Sequence, residues 1–236
     1  MTLSNIPWYW NRIQLFDGVA EAQRTFIGSA ERLEFRRGQV IFGASDPANY
    51  VYFLEQGSVK IYHLSPDGEV TIFWFCVPGE LFGAGGLAGA ERQSVHALAT
   101  TRTVVYALKR GDFDDILRAH PQLAINVLRL VGARLRLACD AVTDNATRRT
   151  DARLARILLR LAQQWGSQSG TAVHFGAPIT NQELANMVGA SRQTVNRILK
   201  DFQHAGWLDF DRRKIILLQP ATLYDLVNAD QTRRND

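Results

Sequence analysis

Residues 180 to 200 read Thr180-Asn-Gln-Glu-Leu-Ala-Asn-Met-Val-Gly-Ala-Ser-Arg-Gln-Thr-Val-Asn-Arg-Ile-Leu-Lys200. The pattern is typical of two short helices joined by a tight turn, the helix-turn-helix arrangement. Thr180 and Glu183 form a capping box at the start of the first helix, and Ser191 caps the second. Gly189 can take the left-handed backbone that the turn needs. The side of the first helix that we expect to be buried consists of Leu184, Ala185 and Val188.

The second helix carries a polar arc that suits the major groove of DNA. With successive residues about 100° apart, its polar side chains fall within about 140° of one another. A surface helix usually mixes acids among its outward residues, whereas the one acid here, Asp201, lies off the arc. The opposite side is an apolar stripe of Val195, Ile198, Leu199 and Phe202. The residues predicted to contact DNA are Thr180, Ser191, Arg192, Gln193, Asn196, Arg197, Lys200 and, from a later segment, Arg213.

Length and composition narrow the class of protein. The chain has 236 residues, enough for two domains with cores of their own, and its hydrophobic content of 46% is ordinary for a globular protein. No apolar run approaches the length that spans a membrane, and the N-terminus lacks the pattern of a secretion signal. Cys76 and Cys139 lie far apart, which argues against a disulfide framework. The expected location is therefore the reducing cytoplasm, with no membrane partner.

The net charge of +4 is unevenly distributed along the chain. Residues 147–236 hold 13 Lys and Arg against 8 Asp and Glu, a surplus of +5, while residues 1–146 carry −1. The positive surplus thus accompanies the helix-turn-helix, as attraction to phosphates would require. A solvated surface also reaches such a surplus by chance, so the charge alone does not identify a nucleic-acid partner.

Residues 30 to 108 form short β-prone runs separated by Gly, Pro, Asp and Ser. Many short strands with regular turn signals are typical of a sandwich or jelly-roll barrel. Tyr52, Leu54 and the run Ile72-Phe-Trp-Phe75 are expected to fill its core. The predicted strands are Glu31–Phe35, Gln39–Phe42, Tyr50–Gln56, Ser58–His63, Val70–Val77, Ser94–Ala99 and Thr103–Lys109.

A long helix is predicted after Pro121. Apolar residues recur there in steps of three and four, which gives a heptad-like seam of Leu128, Val131, Leu135, Ala138 and Val142. A neighbouring stripe consists of Leu123, Val127, Leu130, Leu137 and Ala141. Two adjacent stripes predict a helix that packs on its own domain with one and meets a second copy of the chain with the other. The polar stretch Asp144–Asp151 then indicates a hinge, and an amphipathic helix follows from about Ala152 to Gln164.

The end of the chain predicts a wing. Gly206–Leu218 alternates as a β-hairpin whose basic tip is Arg212, Arg213 and Lys214, candidates for phosphate contacts or for a solvated turn. A short helix of unassigned role begins at Pro220. The predicted fold class is α+β, with a β-roll or jelly-roll sensor domain over residues 1–120, a dimerisation helix over 121–146 and a winged helix-turn-helix domain over 147–236.

Four stretches of this chain are similar to one known family. Three lie in the β-prone half and mark the β-roll of cyclic-nucleotide-binding domains: Arg37-Gly-Gln-Val-Ile-Phe42, Val51-Tyr-Phe-Leu-Glu-Gln-Gly-Ser-Val59 and Pro78-Gly-Glu-Leu-Phe-Gly83. The fourth is Ser191-Arg-Gln-Thr-Val-Asn-Arg-Ile-Leu-Lys200 in the helix-turn-helix. From about Arg32 to about Leu218, the chain resembles the cyclic-AMP receptor protein/FNR (Crp/Fnr) family of bacterial transcription regulators.

The resemblance implies a transcription activator that acts with RNA polymerase. It further implies a homodimer joined along the long helix, with one recognition helix in each half of a palindromic operator. Arg192 and Arg197 match the family's base-reading arginines, and arginine pairs bidentately with guanine. Gln193 stands where the cyclic-AMP receptors carry a glutamate. Since glutamine prefers adenine and glutamate accepts from cytosine, we expect the half-site to differ by one base pair.

The expected effector pocket departs from the family pattern. Ala84 stands where cyclic-AMP binders carry a glutamate that grips the ribose, and Ala138-Cys139 replaces the Thr-Ser pair that contacts adenine. Arg92 matches the arginine that pairs with the cyclic phosphate, but Gln93-Ser94 follows it where the family has Ser-Ala. An alanine cannot replace a charge-assisted hydrogen bond, so the sequence argues against cyclic AMP. The glycines of 83–86 form either an anion-binding nest or tight turns. The candidate pocket residues are Gly83, Ala84, Gly85, Arg92, Ala138 and Cys139.

Other effectors and other classes of function have less support. Two isolated cysteines do not supply the ligands of an iron–sulfur cluster, and the histidines show no metal-ligand spacing, although a haem held by one of them stays open. Cys139 is interpreted as a small buried hydrophobe, with a redox switch as the alternative. A cyclic-nucleotide-binding module that acts on a protein partner is the alternative function, but it leaves the polar arc unexplained. No nucleophile elbow, P-loop or carboxylate pair indicates an enzyme.

Overall fold

The computed structural model describes residues 7–85, 89–212 and 214–232. The chain divides into two compact units. The β-rich unit runs from Ile13 to Arg134, and the helix-turn-helix unit combines the residues up to Arg12 with those from Leu135 onward. The predicted domain boundaries, after residues 120 and 146, divide the chain differently and stay a prediction.

The β-rich unit consists of two antiparallel sheets and the helices that flank them. One sheet has the strand order β1-β8-β3-β6 and the other β2-β7-β4-β5. The elements, in chain order, are α1 (Ala20–Ser29), β1 (Glu31–Phe35), β2 (Val40–Phe42), β3 (Tyr50–Gln56), β4 (Val59–Leu64), β5 (Val70–Cys76), β6 (Leu81–Phe82), β7 (His96–Ala99), β8 (Thr103–Lys109), α2 (Arg110–Ala119) and the first part of α3 (Pro121–Thr147). The predicted β-roll is confirmed, with every predicted strand present to within two residues at its ends.

Two apolar layers hold this unit together. Alternate residues of the two sheets meet in a core that includes Leu54, Ile61 and Val105. The other face of the β1-β8-β3-β6 sheet packs against α1, α2 and the start of α3. There Phe26 lies edge-on to Phe113, with ring centroids 5.7 Å apart. Each such buried side chain stabilises the fold by about 1.5–3 kcal/mol, so the flanking helices are part of the core.

The turn between β3 and β4 requires a glycine. Gly57 has a φ of 96°, and a Cβ at this position would lie 2.4 Å from the carbonyl oxygen of Arg102. Any larger residue would therefore combine backbone strain with a collision against backbone. The turn signal Gln56-Gly57 that ended the predicted strand thus has a steric cause.

The helix-turn-helix unit joins helices to a small sheet with the strand order β11-β12-β10-β9. Its elements are a 3₁₀ helix (Trp8–Trp10), the last part of α3, α4 (Thr150–Trp165), β9 (Gly166–Ser169), β10 (Ala172–Phe175), α5 (Asn181–Val188), α6 (Arg192–His204), β11 (Leu208–Asp211), β12 (Lys214–Leu217) and α7 (Pro220–Thr232). The wing hairpin is β11 and β12, as predicted. The β9–β10 hairpin was missed because Gly166-Ser-Gln-Ser169 is polar throughout and shows no alternation.

The stretch Asp144–Asp151, predicted to be a hinge, contains the break between two helices, and its role as a hinge stays a prediction. Helix α3 continues to Thr147 and α4 begins at Thr150, which leaves two residues between them. Asp144 and Arg148 are buried and paired, with 2.6 Å between Oδ1 and Nε. Arg148 Nη1 also donates to the carbonyl oxygen of Val227 at 2.6 Å. The polar residues satisfy one another inside the unit, so their polarity does not mark a solvated loop.

The two stripes of α3 have different environments. Leu123, Val127, Leu130 and Leu137 are buried. On the seam, Leu128 is 70% exposed, Leu135 64% and Val142 72%, and Val131 and Ala138 are exposed too. Ala141, assigned to the second stripe from its spacing, is also exposed. Within a single chain, α3 therefore leaves one apolar stripe in water.

In the part of the chain that the structure describes, no helix is both long and apolar enough to cross a lipid bilayer.

Candidate nucleic-acid interface

Local capping fixes both helices of the helix-turn-helix. The backbone N–H of Glu183 donates to Thr180 Oγ1 at 3.1 Å, and the backbone N–H of Thr180 donates to Glu183 Oε2 at 2.9 Å. Gly189 ends α5 with a φ of 68°. Ser191 then accepts from the backbone N–H of Thr194 at 3.1 Å, which starts α6. The predicted capping box, glycine turn and N-cap are all present.

Helix α6 presents its polar arc to solvent because the apolar stripe on its opposite side is buried in the unit. Val195, Ile198, Leu199 and Phe202 are buried. On the opposite side, the exposed residues are Arg192, Gln193, Asn196, Arg197 and Lys200. Thr180 and Ser191 are exposed beside them. The structure therefore brings together the residues predicted to contact DNA, apart from Arg213, which lies outside the described residues.

One contact of the arc is tertiary and was not predicted. Asn181, the first residue of α5, donates from Nδ2 to Asn196 Oδ1 at 3.0 Å. The amide group of Asn196 is thereby oriented by the neighbouring helix, with its own N–H groups left as donors toward the groove. No sequence signal points to Asn181, because the two residues are 15 positions apart and meet only after the helices cross.

Arg197 has an acidic neighbour on its own helix. Its Nη1 lies 3.2 Å from Asp201 Oδ2, one turn along α6. Both side chains are exposed, so this pair contributes at most about 1 kcal/mol and yields readily to a phosphate or a base. The two residues border a groove of about 470 Å³ that also includes Arg149, Thr150 and Thr194. Asp201 was predicted to lie off the polar arc, but the long side chain of Arg197, which is on the arc, reaches its carboxylate.

The wing tip places a charged residue in a strained backbone conformation. Asp211 pairs with Lys214 across the hairpin, and Arg212 in the turn has a φ of 44°. Asp209 on β11 accepts from Gln203 of α6 at 2.9 Å, so the wing is tied to the recognition helix. The backbone N–H of Phe210, and then Gln203, lowers the pKa of Asp209, which keeps this acceptor ionised.

The candidate effector residues fall in both units. In the β-rich unit, Gly83 has a φ of 73° and Ala84 packs on the core beneath the sheet, while Gly85 is exposed. Arg92 is exposed and donates to the carbonyl oxygen of Ser45 at 2.7 Å. Residues 86–88 lie outside the described residues. Ala138 and Cys139 belong to the helix-turn-helix unit and are exposed on α3 in the single chain, so burial of Cys139 would require a partner and stays a prediction. Cys139 lies beside the exposed seam of α3, so its place in the heptad pattern does not show whether it is buried.

A buried cation in the β-rich unit was missed by the sequence reasoning. Arg134 of α3 donates to the carbonyl oxygen of Leu81 at 2.5 Å and lies 3.7 Å from Glu80 Oε2. Its guanidinium lies over the Trp74 ring at 5.1 Å and its Nη2 lies 3.8 Å from Cys76 Sγ. Burial raises the pKa of the Cys76 thiol to about 12, so this cysteine stays a protonated thiol. In the sequence, Arg134 is one charged position beside two apolar stripes, and nothing there distinguishes it from a solvated residue.

Within residues 7–85, 89–212 and 214–232, no three His, Cys, Asp or Glu side chains converge to hold a metal ion.

Two families match this chain, one in each unit. The cyclic nucleotide-binding domain matches residues 32–120, and the Crp-like helix-turn-helix domain matches residues 152–226. A CRP-like cAMP-activated global transcriptional regulator of Mycobacterium tuberculosis is 28% identical over 207 residues, which cover 87% of this chain and 92% of the relative. The global nitrogen regulator of Synechocystis is 27% identical over 191 residues, 80% of this chain and 85% of the relative. The solved structure of FixK2 from Bradyrhizobium japonicum is similar with a TM-score of 0.74 and 26% identity, over 84% of this chain and 96% of that one.

Proposed function

Because the chain belongs to the Crp/Fnr family of bacterial transcription regulators, we propose that it acts as a homodimer on a palindromic operator. The family consists of transcription regulators and not of enzymes. The helix-turn-helix domain is the DNA-binding part of the chain, and the cyclic nucleotide-binding domain is the sensor part. The observation that carries the proposal is the exposed polar arc of α6, whose back is fixed in a core.

Base recognition is assigned to the N-terminal part of α6. Arg192 is the first residue of that helix and Arg197 is on the same exposed side, so both can reach into the major groove. A bidentate arginine–guanine pair discriminates against a wrong base by about 1–3 kcal/mol. Gln193 and Asn196 suit adenine, and Asn196 also has an orientation set by Asn181. Lys200 on the arc, and Thr180 and Ser191 beside it, are assigned to phosphates.

Dimerisation is assigned to the exposed stripe of α3. Leu128, Val131, Leu135, Ala138 and Val142 repeat as a heptad seam and face solvent in the single chain. Burying each leucine or valine against a partner contributes about 1.5–3 kcal/mol, so a second copy of the same seam is a fitting occupant. Two copies related by a two-fold axis would present two recognition helices to two half-sites.

We propose that the regulator responds to an effector other than cyclic AMP, or to none. The Mycobacterium tuberculosis relative is named as cAMP-activated. In this chain, Ala84 offers no carboxylate for a ribose hydroxyl, and Arg92 already donates to a backbone carbonyl. The residues described here therefore do not fit that nucleotide. Two separate cysteines, one of them buried with a raised pKa, equally fail to fit an iron–sulfur cluster.

Activation through contact with RNA polymerase is proposed from the family resemblance alone. No residue of the chain is assigned to that contact.

Selection of bound duplexes from a random-sequence pool tests the proposal. We expect enrichment of an inverted repeat whose half-site centres lie about one helical turn, roughly 34–36 Å, apart or a multiple of it. Enrichment of no sequence, or of an unrepeated single site, would count against a dimeric sequence-specific regulator.

A further inference from the structure

The N-terminal residues 7–12 lie outside both family matches, yet two of them, Tyr9 and Trp10, are buried in the helix-turn-helix unit. Tyr9 is 9% exposed and Trp10 only 3%. A short segment at a chain end is usually mobile unless something ties it down. The partners that hold these residues are on the last turns of α3 and on α4.

Three elements meet at one cluster of charges. Tyr9 Oη donates to Asp140 Oδ2 at 2.6 Å. From α4, Arg156 Nη2 donates to the same carboxylate at 2.5 Å and Nη1 to Asp144 Oδ1 at 2.7 Å. The Arg156 guanidinium also lies over the Trp10 ring, 5.6 Å from its centroid. A single arginine therefore links the end of α3, the body of α4 and the N-terminal segment.

A second contact lies further along α4. Gln163 donates to Asn11 Oδ1 at 3.0 Å. Arg156 and Gln163 are two turns apart on α4, a rise of about 10 Å. The N-terminal segment thus follows the helix along its axis, and it resists both rotation and tilting of α4.

The paired charges at this cluster stabilise one arrangement of α4 against the end of α3. Arg156, Asp140 and Asp144 all have side chains about 15% exposed or less. One turn further on, burial and then the repulsion from Arg156 lower the pKa of Arg160 to about 10. Any movement of α4 that separates Arg156 from the acids would leave this largely buried guanidinium without its two carboxylate partners. The junction therefore favours one arrangement over intermediate ones.

We propose that residues 7–12 are a strap that holds the α3–α4 junction in the geometry required for operator binding. This rests on the proposed function, because the junction connects the assigned dimer helix to the first helix of the DNA-binding part. The chain passes from Arg12 into Ile13 and the buried Leu15, which belong to the β-rich unit. Asn126 of α3 holds the carbonyl oxygens of Leu15 and Asp17 at 3.0 and 2.9 Å. The strap is thus a direct covalent route by which a change in the sensor part reaches the junction.

The test compares the full-length wild type with Trp10→Ala and Trp10→Phe. It measures amide hydrogen exchange at residues 144–153 and affinity for operators with altered half-site spacing. Trp10→Ala should speed the exchange and lower operator affinity about tenfold while broadening the tolerated spacing, and Trp10→Phe should retain wild-type values because it keeps an aromatic face for Arg156. Unchanged exchange in Trp10→Ala, or equal losses in both variants, would overturn the strap.

A double-mutant cycle separates positioning from general stability. Tyr9→Phe should weaken operator binding in the wild type but have no further effect in an Asp140→Ala background, because that background has no acceptor for the Tyr9 hydroxyl. Additive effects would contradict the proposal.

Leu161→Ala serves as the control for destabilisation, since Leu161 is buried in α4 and is absent from the contacts of the cluster described above. It should lower the unfolding temperature and leave the spacing preference unchanged; a broadened preference would contradict the strap. If the wild type shows no operator preference at all, the proposed function fails, and the exchange rates alone then decide on the strap.

Discussion

Two arginines of the helix-turn-helix unit differ in backbone conformation, one being helical and the other left-handed. Arg192 begins a capped helix, where its conformation costs nothing. Arg212 occupies the left-handed region with a φ of 44°, which costs a residue with a Cβ about 1–2 kcal/mol. Glycine would occupy that turn without strain. Strain kept at an exposed tip is consistent with a use for the charge, and the use proposed for the wing is attraction to phosphate.

Replacing Arg192 by alanine tests base recognition directly. The variant should lose about 1–3 kcal/mol of affinity for its operator and should accept any base at one position of each half-site. Competition binding against operators with single base changes measures both effects. An equal loss on every duplex would contradict the assignment of Arg192 to a base.

Arg212→Gly is the matched control. It removes a positive charge from the same unit and relieves the backbone strain, so the unfolding temperature should stay the same or rise. Affinity should fall about equally for all sequences, with a shallower dependence on salt. A change of base preference in this variant would show that the wing reads sequence.

The residues predicted correctly from sequence are those whose role is decided within one helical turn. The Thr180–Glu183 box and the Ser191 cap depend on atoms three positions apart, so the sequence contains the whole interaction. The Asn181–Asn196 bond and the Arg134 cluster join residues that are distant along the chain. Without the crossing of the helices or the packing of α3, their side chains look like ordinary solvated positions.

At the scale of elements, helix α3 carries two apolar stripes, of which only one is buried in the single chain. One stripe packs inward, and Leu128, Leu135 and Val142 face water. Exposed leucines are individually common, but a heptad series of them is not. This regular exposure is the basis for assigning a second copy of the chain to the seam.

Leu135→Asp should break the dimer. An unpaired carboxylate in the seam would cost several kcal/mol on burial, so sedimentation should give monomers. Operator affinity should fall by about 10²–10⁴, because each half-site would then bind alone. Leu64→Asp is the control, since Leu64 is an exposed leucine of β4, and it should remain dimeric. A dimeric Leu135→Asp would place the partner surface elsewhere.

The elements that sequence reasoning missed have weak local patterns. Strand β6 has two residues, too few to show a period. Strand β9 is exposed throughout, so it has no apolar face to detect. The end of α3 was predicted to within one residue, but the pairing of Asp144 with Arg148, two charged residues buried against each other, was not predicted. The spacing of apolar residues predicts which side chains face water, and this prediction fails where two charged side chains are buried as a pair.

At the scale of the whole molecule, the chain joins a cyclic nucleotide-binding domain to a Crp-like helix-turn-helix domain. The second match removes the alternative of a module that acts only on a protein partner. The first 31 residues and the segment 121–151 lie outside both matches. Those segments carry the exposed seam, Arg134, the acids of the α3–α4 junction and the strap, so the two domain matches alone do not describe how the domains are connected.

Cyclic AMP should have no effect on this protein. Each missing hydrogen bond to a charged group removes about 1.5–3 kcal/mol, and every ~1.4 kcal/mol is a factor of ten in affinity. We therefore expect Ala84 and Ala138-Cys139 together to lower the affinity for cyclic AMP by several orders of magnitude. Calorimetric titration with micromolar cyclic AMP or cyclic GMP should show no binding, and neither nucleotide should change operator affinity. Micromolar binding that tightens the DNA complex would mean that the pocket uses other contacts.

The affinity ratio between a selected operator and a scrambled duplex of equal length tests sequence-specific DNA recognition most directly. It is measured by fluorescence anisotropy with purified protein at about 0.15 M salt, where phosphate attraction alone gives weak binding. We predict that two chains bind each operator and that the operator binds at least about 10³-fold more tightly than the scrambled duplex. Equal affinities for the two duplexes would contradict the account.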